Sequence, residues 1–276
     1  MTEFADDFDG TDLDRDVWVP HYLPQWSSRA ATAACYEVRN SCLRLYLPDE
    51  MPLWCPDDHP PLRVSGIQSG VFSGPVGSTV GQQPVRPGAV VREEQPARWG
   101  WTPRYGRLEM RARATVTPRS MVAWWLVGLE DSPERCGELC VMEVFGDAVD
   151  PVAGAAVGMG VHPFRDPRLA DDFAAPRPGI DVAEWHTYAV DWRPDGAVSW
   201  WTASRSAPSA SRRTTRCSRW SPSSTSRRRR WRGSPTSSRS SSSTGSAGNP
   251  GSGAADASPA RGGASGRPCG SVPAAG

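Results

Sequence analysis

The chain has 276 residues, a formal net charge of +1 and 38% hydrophobic residues, enough for one large β domain or two small ones. The neutral total hides a division: residues 1–201 carry 29 Asp and Glu against 18 Arg, whereas residues 202–276 carry 13 Arg and one Asp. No run of about 18 apolar residues is present, which argues against a membrane-spanning helix.

The amino terminus, MTEFADDFDG, has neither the basic nor the apolar region of a signal peptide. As written, the protein is expected in the cytoplasm, or outside the cell if translation starts elsewhere. The seven cysteines are an odd set whose spacings match no zinc site. Without an export signal we expect free thiols and no metal site.

Short apolar runs separated by Gly, Pro and Asp follow one another along residues 1–201. In GRLEMRARATVT, residues 106–117, apolar and polar residues alternate strictly, as in a strand with one buried and one wet face. HTYAVDWRPDGAVSWW, residues 186–201, predicts a hairpin that turns at RPDG. No stretch has a convincing helical period. Many short strands at this spacing predict an all-β protein, an antiparallel β-sandwich or jelly roll.

The segment CGELCVMEVFGD, residues 136–147, places two glutamates five positions apart in an apolar strand. On a regular strand Glu138 and Glu143 point to opposite faces. They can face one cleft only if a β-bulge inserts an extra residue between them. Paired carboxylates about 5 to 5.5 Å apart are what a retaining glycosidase uses. The alternative, two solvent-facing glutamates on an edge strand, is disfavoured by the apolar neighbours.

The segment GELCVMEVFG resembles the active-site signature of glycoside hydrolase family 16, the laminarinase and lichenase group, whose usual form is E-[ILV]-D-x-x-E. Other segments resemble that family in the same order: DDFDGTDLDRDVW, YGRLEMRARA, AWWLVG, GVHPF and EWHTYAVDWRPDGAVSW. The resemblance implies a concanavalin A-like jelly roll with Glu138 as nucleophile and Glu143 as general acid/base. It also implies a β-glucan or oligosaccharide substrate, β-1,3- or mixed-linked, hydrolysed with retention.

Cys140 departs from the signature, because the family has Asp at this position, where it hydrogen-bonds the nucleophile. A thiol is a weak donor, so we expect slower turnover and an altered pH dependence. The alternative function is a carbohydrate-binding or transglycosylating protein with weak or no hydrolysis.

The resemblance aligns Trp125 with a stacking tryptophan of the family, and Trp124 must face the other way on an alternating strand. We expect Trp125 in the cleft, with Trp101 and His162 as further candidate sugar contacts, His162 close to Glu143. The resemblance implies no required cofactor. Some relatives bind a structural calcium, which no motif here supports. We expect a monomer without nucleic-acid or membrane partners.

Residues 202–276 differ in kind, with a single Val and no Leu, Ile, Met, Phe or Tyr. This composition predicts disorder; its run SRRRRWRG offers nucleic-acid binding as a rival function. A one-base frameshift near Trp200 or Trp201 accounts for the composition, because serine codons then stand where Phe, Leu, Ile or Val would be read. We therefore predict an incomplete jelly-roll domain, residues 1–201, lacking its last strands, followed by an out-of-frame tail.

Overall fold

The computed structural model describes residues 4–58 and 62–202, and residues 212–216 by their backbone alone. All of them belong to one compact unit, residues 1–224. Most of the tail, with the disorder and the frameshift predicted for it, lies outside the described residues. No helix in the described part of the chain has the length and apolar character needed to cross a membrane.

Strands dominate the described residues, and we number them in chain order. They are β1 Cys35–Val38, β2 Leu43–Tyr46, β3 Gly70–Val71, β4 Arg98–Trp99, β5 Gly106–Ala112, β6 Met121–Val127, β7 Glu138–Phe145, β8 Val149–Asp150, β9 Gly154–Ala155, β10 Gly158–His162, β11 Asp172–Ala174, β12 His186–Arg193, β13 Gly196–Thr202 and β14 Arg212–Arg216. Helical structure here is limited to α1, Arg29–Thr32, and two 3₁₀ turns, Pro24–Trp26 and Gly146–Ala148.

Two four-stranded antiparallel sheets make up the sandwich. The first has the order β11-β10-β7-β6 and the second the order β14-β13-β12-β5. Core clusters join the two sheets because each contributes its apolar face. One such cluster includes Met142, Met159, Tyr188 and Trp201. Another includes Leu108, Leu139, Val141 and Val190. The predicted antiparallel β-sandwich is confirmed.

The two most regular patterns in the sequence correspond to strands. The alternating segment forms β5, which ends at Ala112, earlier than predicted, because the N–H of Ala114 bonds outside the sheet to Val182 O. The predicted hairpin forms β12 and β13, paired from Thr187 with Thr202 to Arg193 with Gly196. At these two places, local alternation and turn residues were sufficient to predict the strands.

The end of the sandwich domain differs from the predicted boundary at residue 201. Thr202 completes β13, and residues 212–216 form β14, which pairs with β13 along its whole length. An exposed strand edge offers unpaired N–H and C=O groups, and a segment without proline can satisfy them through its backbone alone.

Candidate active site

Strand β7 has one extra residue where it pairs with its two neighbours, β6 and β10. Along its pairing with β6, Trp124 lies opposite Met142, but the next residue, Trp125, lies opposite Cys140, so that one residue is inserted. The pairing of β7 with β10 shifts at the same place. The structure thus contains the β-bulge that the spacing of the two glutamates required.

The bulge decides which face each side chain of β7 occupies. Val141 and Met142, which are adjacent in sequence, both point into the core and are less than 4% exposed. The alternation restarts after them, and Glu138, Cys140 and Glu143 therefore share the opposite face. We call this face of the first sheet the cleft face.

The Cys140 thiol lies between the two carboxylates and is fully buried. Its Sγ donates to Glu138 Oε1 at 3.4 Å and lies 3.9 Å from Glu143 Oε2. Burial, and then the charges of the two glutamates, raise the pKa of the thiol far above its usual range. The group is therefore a neutral thiol whose one proton can serve one carboxylate at a time.

Glu143 is half-buried and accepts a hydrogen bond from Trp125 Nε1 at 3.2 Å. Burial raises the pKa of its carboxyl above the ordinary value, and the charge of Glu138 raises this pKa further. The Trp125 hydrogen bond and His162 oppose the shift without cancelling it. Glu143 consequently keeps its proton to a higher pH than an exposed glutamate, which suits a general acid.

Glu138 is only 7% exposed and is held from a distant loop. Gln83 Nε2 donates to Glu138 Oε2 at 2.7 Å, and the backbone N–H of Gln83 donates to Glu130 Oε1 at 2.7 Å. Glu130 is itself buried and paired with Arg165. This chain of contacts fixes the orientation of the Glu138 carboxylate.

A cavity of about 170 Å³ adjoins Gln83. Its lining includes three aromatic residues, Tyr22, Trp54 and Phe164, and the ion pair of Glu130 with Arg165. Gln83 lines this cavity and also donates to Glu138 Oε2, so the cavity adjoins the Glu138 carboxylate.

His162, on β10, lies directly opposite Glu138 in the strand register. Its Nδ1 is 3.0 Å from Asp171 Oδ1, and its ring stacks on Phe173 with centroids 4.6 Å apart. Donor atoms of His162, Glu138 and Cys140 lie within 4.8 Å of one another. The histidine therefore belongs to the cleft face, at the Glu138 end.

Three tryptophans were candidate sugar contacts, and the structure separates them. Trp125 is on the cleft face, where its ring nitrogen reaches Glu143. Trp124 faces the core, packed against the cluster that contains Val141. Trp101 packs against the same cluster and stacks on Phe4 with centroids 4.8 Å apart. The structure thus does not bring Trp124 and Trp101 to the carboxylate pair, because their rings are used in packing.

No family model matches the chain, and no curated protein matches it. A search of solved structures finds the GlcNAcα1-4Gal-releasing endo-β-galactosidase of Clostridium perfringens, with a TM-score of 0.59 and 23% identity over 80% of this chain and 53% of that one. Over the part that is compared, the chain shares the fold of this enzyme. The predicted jelly roll is thereby confirmed, and the chain spans about half the length of this solved relative.

Two more solved structures are similar at lower scores. A laminarinase from Flavobacterium sp. has a TM-score of 0.39 and 16% identity over 71% of each chain. SCLam, a non-specific endo-β-1,3(4)-glucanase from family GH16, has a TM-score of 0.40 and 15% identity over 79% of this chain and 70% of that one.

Sequence patterns missed the residues that support the two carboxylates. Gln83 lies 55 positions before Glu138, so that no local pattern connects the two residues. Glu130 comes after Gly128 and Leu129 at the end of β6 and is buried, and a buried acidic residue is a weak signal of a special role. Their convergence depends on tertiary contacts that no local spacing reveals.

Proposed function

We propose that the chain is a retaining glycoside hydrolase in which Glu138 is the nucleophile and Glu143 the general acid/base. The observation that carries this proposal is the bulge in β7, which places both carboxylates on one face around a single sulfur atom. The raised pKa of Glu143 supports its part, because a general acid must be protonated when substrate binds.

The two residues act in a double displacement. Glu143 protonates the glycosidic oxygen while Glu138 attacks the anomeric carbon, so that the aglycone leaves and a covalent glycosyl-enzyme forms. Glu143, now ionised, removes a proton from water, which attacks the same carbon and releases Glu138. Gln83 holds Glu138 Oε2 at 2.7 Å, so that Oε1, which accepts only the weak hydrogen bond of the Cys140 thiol, is the oxygen that attacks the sugar.

The proposed substrate is a β-glucan, β-1,3- or mixed-linked, or an oligosaccharide derived from it. Saccharide rings stack on flat aromatic faces, and the cavity beside Gln83 is lined by the exposed ring of Phe164 together with the Glu130–Arg165 pair, which can bond hydroxyl groups. Because the solved relative with the highest score above is named as an endo-β-galactosidase, β-galactans belong in the same substrate panel.

Cys140 favours a second candidate function. A neutral thiol shared between two carboxylates holds the nucleophile less firmly than a stronger donor. Carbohydrate binding or transglycosylation with weak or no hydrolysis is the function expected if this support is insufficient.

The release of reducing ends from laminarin and lichenan tests the proposal. Glu138→Gln is expected to lower kcat on the order of 10³-fold or more, because it removes the nucleophile. Glu109→Gln is the matched control, since Glu109 is exposed and pairs with Arg107 on β5. Equal rates for parent and Glu138→Gln contradict the proposal. Binding of laminarin without hydrolysis in either protein favours the second candidate.

Cys140→Asp is expected to raise kcat/KM about tenfold, because the O–H of a protonated Asp carboxyl is a stronger donor to Glu138 than a thiol. Hydrolysis rates at several pH values measure the effect, and Cys42→Ser, which alters a thiol in the turn between β1 and β2, is the control. An unchanged or lower kcat/KM in a folded Cys140→Asp protein shows that the thiol does not limit turnover.

A further inference from the structure

The cleft face brings together three side chains of different ligand chemistry. Donor atoms of Glu138, Cys140 and His162 are mutually within 4.8 Å, and Cys140 Sγ is 3.4 Å from Glu138 Oε1. In a tetrahedral zinc site, metal–ligand bonds of 2.0 to 2.3 Å place neighbouring ligands about 3.5 Å apart. One pair already has this separation, and small side-chain rotations bring in the third.

The histidine is oriented as a metal ligand would be. An ionised Asp171 carboxylate can only accept, so the 3.0 Å contact assigns the proton to His162 Nδ1 and leaves the lone pair on Nε2. A carboxylate behind a ligating histidine is the usual outer contact of such sites. Stacking on Phe173 restrains the ring further.

The site also has a rigid support and a favourable charge. Glu138 and Cys140 are on β7, and His162 is opposite Glu138 on β10, so that no loop has to close. The Glu138 carboxylate supplies a negative charge, and Glu143 Oε2, 3.9 Å from the sulfur, adds a further oxygen beside the site. A mixed sulfur, nitrogen and oxygen set selects zinc-like ions over magnesium or calcium, which prefer oxygen alone.

We propose that Glu138, Cys140 and His162 form a binding site for a zinc-like divalent cation that competes with saccharide for the cleft. On binding, the Sγ–H proton passes to solvent and the sulfur bonds to the metal, while a carboxylate oxygen and Nε2 each donate a lone pair. No electron is transferred. A fourth position remains for water. Because Glu138 then holds the metal, it cannot attack an anomeric carbon.

Titration of the full-length protein with Cd²⁺ tests the site without relying on activity. A sulfur-to-cadmium charge-transfer absorption should rise and saturate at one equivalent for the Cys140 site, and Zn²⁺ should displace it. Cys140→Ser should lose this component, and His162→Asn should weaken Cd²⁺ binding at least tenfold. Cys42→Ser should keep it. An equal Cd²⁺ titration for parent and Cys140→Ser overturns the proposal.

Thermal unfolding separates loss of the site from loss of the fold. Zn²⁺ should raise the melting temperature of the parent and of Cys42→Ser but not of Cys140→Ser. If all three melt alike without metal and Zn²⁺ shifts all three equally, the site is elsewhere and the proposal is wrong.

If the protein hydrolyses laminarin, Zn²⁺ should inhibit it and chelator should restore the rate; undiminished hydrolysis with the site saturated overturns the claim of competition. A Cd²⁺ signal without any hydrolysis supports the metal site while counting against the proposed function.

Discussion

Two kinds of interaction with opposite effects set the protonation of Glu143. Burial and the neighbouring Glu138 charge favour the neutral carboxyl, whereas the Trp125 ring N–H stabilises the carboxylate. The first kind dominates, so that the pKa of Glu143 is raised. Trp125, which was predicted as a sugar contact, therefore also influences the pKa of Glu143, the proposed general acid.

Trp125→Phe is expected to move the basic limb of the kcat/KM–pH profile to higher pH. The change removes a donor to the charged form, so the pKa of Glu143 rises further and the acid stays protonated over a wider range. Hydrolysis of laminarin measured across pH gives the limb directly.

The matched control is Trp124→Phe, which alters the neighbouring ring on the core side. It should lower stability and leave the limb in place. A limb that stays unmoved in Trp125→Phe, or moves to lower pH, shows that the hydrogen bond does not govern Glu143.

Strand β10 has two glycines beside the carboxylate pair, in addition to His162. Gly158 and Gly160 lie opposite Glu143 and Cys140, and the Phe173 ring of β11 occupies the space that a Cβ at Gly158 would need. Gly160 has a φ of +140°, and a Cβ there would collide with the backbone of Asp172 and Phe173 on β11. The edge strand that carries Phe173, the stacking partner of His162, can approach only because these positions lack side chains.

Gly160→Ala is expected to destabilise the protein by about 1–3 kcal/mol through backbone strain alone, with further loss as β11 is pushed away. Thermal unfolding measures the change. Gly10→Ala is the control, since a Cβ there meets nothing nearer than 3.5 Å. A Gly160→Ala protein that melts at the parental temperature would show that β11 adjusts freely.

At the scale of the whole molecule, β14 covers an edge of the second sheet. It pairs with β13 from Val198 opposite Arg216 to Thr202 opposite Arg212. Buried side chains of β13, among them Trp201, belong to the core cluster that joins the two sheets. Exposure of the β13 edge therefore threatens both the ladder and the core behind it.

Two truncations separate this strand from the rest of the tail. A chain ending at Arg216 is expected to melt as the full chain does, whereas a chain ending at Thr202 should melt at a lower temperature and aggregate more readily. Calorimetry with light scattering measures both properties. Equal melting temperatures for the two truncated chains would show that β14 does not stabilise the sandwich.

Sequence alone was sufficient wherever the evidence is local. The alternation in β5 and the turn between β12 and β13 predicted strands that the structure contains. The spacing of Glu138 and Glu143 required an inserted residue, and the register of β7 supplies it. The alternation of side chains and the number of residues between two positions are properties of a short segment, so they can be recognised without knowledge of the fold.

Tertiary structure decided what converges on those residues. Gln83 reaches Glu138 from another part of the chain, and His162 completes the Glu138–Cys140 cluster through the β7–β10 register. Cysteine spacings alone cannot indicate the proposed metal site, because one of its three proposed ligands is a histidine on a different strand. Strand pairing and core packing bring such residues together, and both depend on contacts between segments far apart in sequence rather than on any local pattern.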